Sequence, residues 1–278
     1  MPSLENRYLH IAGAFAAGGW FTGLGPKGDI DVPIVTVSPV HLPMVGGISE
    51  SKTPGTSVDC SKVKFPAMGP AARKEWQAKK LFSYDAAYCL AETAPAKEGK
   101  PQQSRTVSDL KALRVDSLAV KRAVLNMASS HDQQAPHPNV TFGQTEITGF
   151  KLDGKELKIT LDTDSFNKFP TLNALEAAFK AGKLPRTLSR TMALDEKGGL
   201  HRNGSGYVVG SLVKKIEGTL PEGATIDPNG YTIHWPKFGK IILGEVTMGL
   251  YIRRVTLLRL KHSDLEFASG CSGGSYYP

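Results

Sequence analysis

Cysteine is scarce in this chain. Of 278 residues only Cys60, Cys89 and Cys271 are cysteine, and no two stand in CxxC spacing. That excludes a disulfide framework and a zinc ribbon. One long-range bridge or three buried thiols remain open. Long hydrophobic runs are also missing. The longest, Ile11 to Phe21, is broken by three glycines. It falls well short of the roughly 20 apolar residues a spanning helix needs, so no membrane insertion is expected. It matches a signal-peptide core in length only, because Glu5 and a single Arg7 precede it. An N-terminal strand packed into a sheet is the expected structure, and the cytoplasm is the default location, with secretion as the alternative.

No run of one charge exists either. The formal charge is +8, but the basic residues come in short pairs such as Lys79-Lys80, Lys121-Arg122, Lys214-Lys215 and Arg253-Arg254. This predicts a soluble basic surface. Weak attraction to an anionic polymer is open, and a specific nucleic-acid footprint is not expected.

What is present is sheet sequence. Tyr231 to Lys261 is dense in β-branched and aromatic residues. Ile242, Val246 and Met248 share one parity; Ile241, Leu243, Val255 and Leu257 share the other. A strand pleats with period two, so such segments need cover on both faces. Upstream, Phe82, Tyr84, Ala86 and Tyr88 alternate, and Val107 to Val115 continues the series. Leu118 to Ala128 is ambiguous. Leu118, Lys121, Arg122 and Leu125 fit a helix, whereas Leu118, Val120 and Val124 fit a strand that Arg122 interrupts; strand is preferred. Ile147 to Leu161 reads as a hairpin, because Asp153-Gly154 is a type I′ turn signal between alternating flanks.

Three further segments complete the layout. Residues 1 to 70 are rich in Gly and Pro, with short extended runs between them such as Ile34 to Val37, which Pro33 and Pro39 bracket as suits an edge strand; beyond the N-terminal strand, this quarter is expected to wrap the core with ordered loops. Pro70 to Phe82 predicts a helix with proline at its entry. So does Thr171 to Lys183, with Leu172, Leu175 and Phe179 on one face and Gly182 as its C-terminal cap. Leu184 to Asn203 reads as an excursion, Tyr207 to Ile216 as a strand and Pro228-Asn229-Gly230 as a turn. The expected fold is mainly β, a single antiparallel β-sandwich or barrel-like sheet with two or three peripheral helices. A short β-solenoid is the alternative. Its parts are a loop-rich segment 1–70, a strand series 71–165, a helical excursion 166–205 and a C-terminal sheet 206–278.

Motifs for chemistry are thin. Gly23 to Gly28 matches GxGxxG, but Pro26 interrupts it and no helix begins there. Gly270-Cys271-Ser272-Gly273-Gly274 matches GxSxG with too little chain after it for the helix a nucleophile elbow needs. His131, Asp132 and His137 carry metal-ligand chemistry at no standard spacing. They are the weak metal candidates; a polar loop is the simpler reading. Asp162 and Asp164 fit turn formation and helix capping. Trp235 fits a core or hairpin clamp. No catalytic residue and no cofactor is assigned.

The strand series 106–131, then VTFGQTEITGFKLDGKELKITL at 140–161, resembles the β-rich domain of bacterial proteins of the choice-of-anchor type. Phe142, Ile147, Gly149 and Gly154 stand where that pattern asks, and the segment from Phe238 to Leu260, with Arg253, Arg254 and Leu257, is similar to bacterial proteins of this layout. The likeness spans about half the chain. It implies a β-rich surface or secreted domain and carries over no catalytic residue. This chain departs from it in lacking a clear signal peptide and C-terminal anchor.

The expected function is that of a non-enzymatic structural or interaction protein presenting a β-sheet surface, with a homo-oligomer as the first candidate partner. The alternative is a hydrolase or a small-molecule or metal-binding protein. Its site would be assembled from distant loops, with His41, His131, Asp132, His137 and His234 as candidates.

Overall fold

The computed structural model describes residues 11–24, 30–42, 47–59, 70–71, 74, 80–94, 101–132, 135, 137–250, 252–262 and 265–276. Among them the chain forms two antiparallel sheets and three short helices.

Sheet A is built from the two ends of the chain. It contains β1 (Ile11–Leu24), β2 (Ile30–Val37) and β3 (Val40–His41), then β11 (Val208–Ser211), β13 (Thr225–Ile226), β14 (Thr232–Trp235), β15 (Gly239–Met248), β16 (Ile252–His262) and β17 (Leu265–Tyr276). Its order is β13-β14-β15-β16-β17-β1-β2, with β11 on β15 and β3 on β1. Sheet B holds the middle: β4 (Gly47–Asp59), β5 (Lys80–Ala94), β6 (Gln102–Val115), β7 (Leu118–His131), β8 (Asn139–Phe142), β9 (Glu146–Leu152), β10 (Lys155–Leu161) and β12 (Val213–Gly218). Its order is β12-β10-β9-β7-β6-β5-β4, with β8 on β7. The glycine- and alanine-rich strands β1 and β17 pack across β5, β6 and β7, as residues without bulk permit when sheets approach closely. The result is a sandwich; the described strands do not close into a barrel, and the antiparallel pairing is not that of a solenoid.

Three helices follow β10: α1 (Thr163–Asn167), α2 (Leu172–Lys180) and α3 (Arg186–Thr191). They form the excursion that carries the chain from sheet B to sheet A. Asp162 caps α1 by accepting from the Ser165 N–H at 3.1 Å. Thr171 Oγ1 caps α2 through the Ala174 N–H at 3.1 Å, and Gly182, at φ 66°, ends it. Phe142 meets Phe166 of α1 edge-on, centroids 6.0 Å apart. The Asn167 amide bonds both backbone groups of Phe142, at 2.7 and 2.9 Å, and so prolongs the ladder of β8.

Several expectations hold. Asp153 and Gly154 both have positive φ, 50° and 73°, in the turn between β9 and β10. The Ile34 to Val37 segment lies in β2, at the edge of sheet A. Others are corrected. The N-terminal strand expected over Ile11 to Phe21 is β1, but the rest of the opening quarter is not a loop wrapping: its described residues add β2 and β3 to the same sheet and β4 to the other. Hydroxylated and glycine-rich segments there gain order from long pairing partners rather than from their own propensity. Tyr207 to Ile216 is two strands, because the chain leaves sheet A after β11 and enters sheet B at β12. Leu212 between them donates its N–H to Gly244 O and accepts from Asp162 N. The helix expected over Pro70 to Phe82 begins at Pro70 but does not reach its expected end, since Lys80 to Phe82 already belong to β5; residues 72–73 and 75–79 lie outside the described residues.

A further correction concerns alternation itself. In sheet B the buried parity reverses once per strand: Tyr84 to Ala87 in β5, Leu110 to Leu113 in β6, Val120 to Ala123 in β7, Ile147 to Phe150 in β9. Register is unchanged across the line, since Lys111 pairs with Arg122 and Leu113 with Val120 on either side of it. Ala112 (φ 53°) and Gly149 (φ 58°) sit on that line. In β6 and β9 this left-handed residue turns the peptide over, and the pleat resumes in opposite phase; β5 and β7 reverse beside them with no positive φ at the line. Sheet A does the same at Gly244, φ 59°, so Ile241 and Leu243 are followed by Val246 and Met248 as the buried set. The reversal leaves buried residues three apart. That step is what gave Leu118 to Ala128 its helix-like spacing; it is strand β7.

Candidate functional site

The strongest concentration of organised polar groups lies on the solvent face of sheet B, beside its edge strand β4. Register builds it row by row. Glu50 pairs with Leu90, which pairs with Val107; Lys52 pairs with Tyr88, which pairs with Asp109. Pro54, Ala86, Lys111 and Arg122 form the next row. Alternation turns the intervening residues inward, where Ala87, Cys89, Ala91 and Leu110 are buried.

Several charges on this face are paired. Arg122 grips Asp109 with a fork, Nε to Oδ1 at 3.0 Å and Nη2 to Oδ2 at 2.8 Å, and reaches toward Glu146 at 3.8 Å. Arg105 donates to Asn126 Oδ1 at 3.1 Å and to Glu92 at 3.4 Å. Lys52 meets Glu50 at 2.9 Å and stands 5.5 Å from the centre of the Tyr88 ring. That contact lowers the Glu50 pKa and raises that of Lys52. Burial, then the Glu50 carboxylate, push the Tyr88 phenol upward. A depression of about 540 Å³ opens between Lys52, Pro54, Tyr88, Asp109 and Lys111. Exposed pairs of this kind contribute little stability, because solvent screens them. Their effect is to hold long side chains in defined positions.

β4 itself has thirteen residues. It pairs along one side with β5, and among the described residues no strand pairs along the other. Pro54 fixes which groups face outward. It lies opposite Ala86 without an N–H to give, so its nitrogen points away from β5. Residues alternate in direction along a strand, so Ile48, Glu50 and Lys52 present their backbone N–H and C=O to the free edge. Ile48 is 75 % exposed.

The residues singled out in the sequence do not converge. His131 ends β7, buried, with Nε2 3.0 Å from Ala135 O. Asp132 is exposed and His137 half-buried. Among the described residues no group of three or more His, Cys, Asp or Glu side chains is placed to hold a metal ion. His41 is exposed on β3. His234 is 3.3 Å from Asp227 and lies in a row with Lys240 and Lys261, beside a cavity of about 460 Å³. The GxSxG segment is extended in β17, with no strand-to-helix bend. Gly25 to Gly28 lie outside the described residues. Asp162, besides capping α1, accepts from Thr187 Oγ1 at 2.6 Å. Burial pushes its carboxyl up, but the bonds from Thr187 and Ser165 and the charge of Lys214 outweigh this and hold it below the usual range. Trp235 is buried, its Nε1 donating to Glu222 O at 3.2 Å. Cys89 is a buried free thiol donating to Ser108 Oγ at 3.5 Å, and burial raises its pKa to about 11.

Two residues escaped sequence reasoning. Arg122 looked like an interruption; its partner Asp109 is visible only once the register of β6 on β7 is known. Arg253, one of a dispersed basic pair, is buried in the fold and its pKa is lowered to about 10 by burial. Its neighbour Arg254 faces outward.

A family described as a domain of unknown function (DUF8256) matches residues 8–197 and 183–249. No curated protein and no solved structure matches the chain.

Proposed function

We propose that this chain, which belongs to the DUF8256 family of domains of unknown function, is a non-enzymatic interaction protein that works through the solvent face of sheet B and the free edge of β4. One observation carries the reading: a thirteen-residue edge strand with outward-facing N–H and C=O groups and no strand against it among the described residues. Such an edge accepts an added strand through main-chain bonds, and neighbouring side chains supply selectivity. The paired charges next to it are already ordered, which lowers the entropy cost of docking. The reading also fits the choice-of-anchor resemblance, which implies a β-rich surface domain without catalytic residues.

Site-directed photo-crosslinking on the full chain tests it. A crosslinking residue at Ile48 forms an adduct, one at the exposed Leu194 forms none, and K52P suppresses the first by removing an outward donor. The reading fails if the position-48 adduct is absent or survives K52P. A second reading, weak polyanion binding, has its own support in the row His234, Lys240 and Lys261 beside a cavity of sheet A. Affinity that does not fall with added salt would remove it.

A further inference from the structure

We infer that the strand received by β4 is β4 of a second copy, paired antiparallel about a two-fold axis through Ser51. This rests on the interaction reading above and names its partner. The argument is one of register. Ile48, Glu50, Lys52 and Pro54, and beyond them Thr56 and Val58, share the parity that faces the free edge, so in an antiparallel pair these residues must meet one another. An axis through Glu50 sets glutamate against glutamate. An axis through Lys52 sets lysine against lysine. Like charges directly opposite are destabilising. An axis through Ser49 leaves Ile48 facing a carboxylate. An axis through Thr53 sets Lys52 against proline and Glu50 against threonine, with no charge pair. The axis through Ser51 alone places Glu50 opposite Lys52 of the partner subunit, twice by symmetry.

The same register covers the edge's exposed apolar side chain. Ile48, 75 % exposed in the single chain, comes opposite the partner's Pro54. Its N–H donates to the carbonyl of that proline, which needs no N–H in return. Glu50 and the partner's Lys52 exchange two backbone bonds. The contact between Glu50 and Lys52 within each chain, 2.9 Å, becomes part of a four-charge square. Sheet B then continues from one subunit into the next, and self-complementarity of one patch is what a two-fold dimer requires.

Charge exchange on the purified full chain tests the register. Sedimentation across a concentration series reads the dissociation constant, and thermal melts check that each variant folds; both positions are solvent-exposed. Wild type dimerises. E50K and K52E each weaken the dimer roughly tenfold or more, because like charges replace two opposite pairs. The double variant E50K/K52E restores it. An equimolar mixture of the two single variants also restores it, as a mixed dimer. A wild-type chain that stays monomeric at every concentration overturns the inference, and so does a dimer unmoved by the single exchanges. If the chain is monomeric while position 48 still crosslinks to a different protein, the interaction reading stands and only the partner named here is wrong. If position 48 yields no adduct at all, both fall.

Discussion

Arg253 donates from Nη1 to the carbonyl of Val140 at 3.0 Å, across 113 residues of sequence and from one sheet to the other. Its Nη2 reaches Phe169 O at 3.2 Å, between α1 and α2. One side chain thus ties β16, β8 and the helical excursion together. It is 3 % exposed, and these two bonds of its guanidinium go to carbonyls. The charge is tolerated because the carbonyl dipoles replace part of its hydration. Arg253→Met leaves both carbonyls without this donor and costs about 2–4 kcal/mol. Urea denaturation checks it; a loss under ~0.5 kcal/mol would mean the latch is idle.

The reversal line of sheet B has a direct test. At Gly149 the backbone is left-handed, and an added Cβ would lie 2.5 Å from Lys121 Cβ. Gly149→Ala is expected to cost about 2 kcal/mol or more. Ala112 already bears a Cβ at φ 53°. Ala112→Gly relieves roughly 1–2 kcal/mol of strain against roughly 0.5–1 kcal/mol of chain entropy, a net gain of about 0.5 kcal/mol. Opposite signs at two positions of one line, read by thermal melting, would confirm a phase reversal; equal signs would refute it.

Acid sensitivity should centre partly on Asp162. Its folded pKa is depressed, so on acidification the unfolded chain binds the proton first. The stabilisation is present above the ordinary carboxylate range and is lost as pH falls through the depressed value. Asp162→Ala removes the α1 cap and the Thr187 bond, about 1 kcal/mol near neutrality. Its deficit should shrink toward pH 2, measured by denaturation along a pH series. A deficit constant with pH would rule out the linkage.

Cys89 should be chemically silent in the folded chain. With its pKa near 11, almost no thiolate exists at pH 8, and thiolate is the reactive form. Peptide mapping after alkylation should find Cys89 modified only under denaturing conditions. Because the folded pKa is raised above the unfolded one, the associated stability is complete below pH 9 and lost as pH rises toward 11. Cys89→Ala should abolish that component. Modification of native Cys89 would contradict the burial.

Legibility in the sequence followed the range of the forces involved. Asp153-Gly154 announced its turn because positive φ is a property of two residues. The spacing of Leu172, Leu175 and Phe179 announced α2 because it places them on one helical face within two turns. Asp162 was read as a turn or cap residue because its carboxylate bonds an amide three residues on. The stretch of β4 misled, since its serine, threonine, proline and glycine favour loops until a long partner strand pairs with them. The edge position of β4 was invisible for a related reason: it is defined by having no strand on one side among the described residues.

The amino-acid order by itself determined that this is an antiparallel β protein, where turns such as Asp153-Gly154 fall and where α2 begins, because each depends on contacts a few residues apart. Tertiary structure alone decided that the two ends of the chain share one sheet, that alternation reverses along a single line, that Arg122 meets Asp109 and that Arg253 is buried. Those facts depend on register between distant strands, where a shift of one residue exchanges core for solvent, and no local spacing encodes that choice.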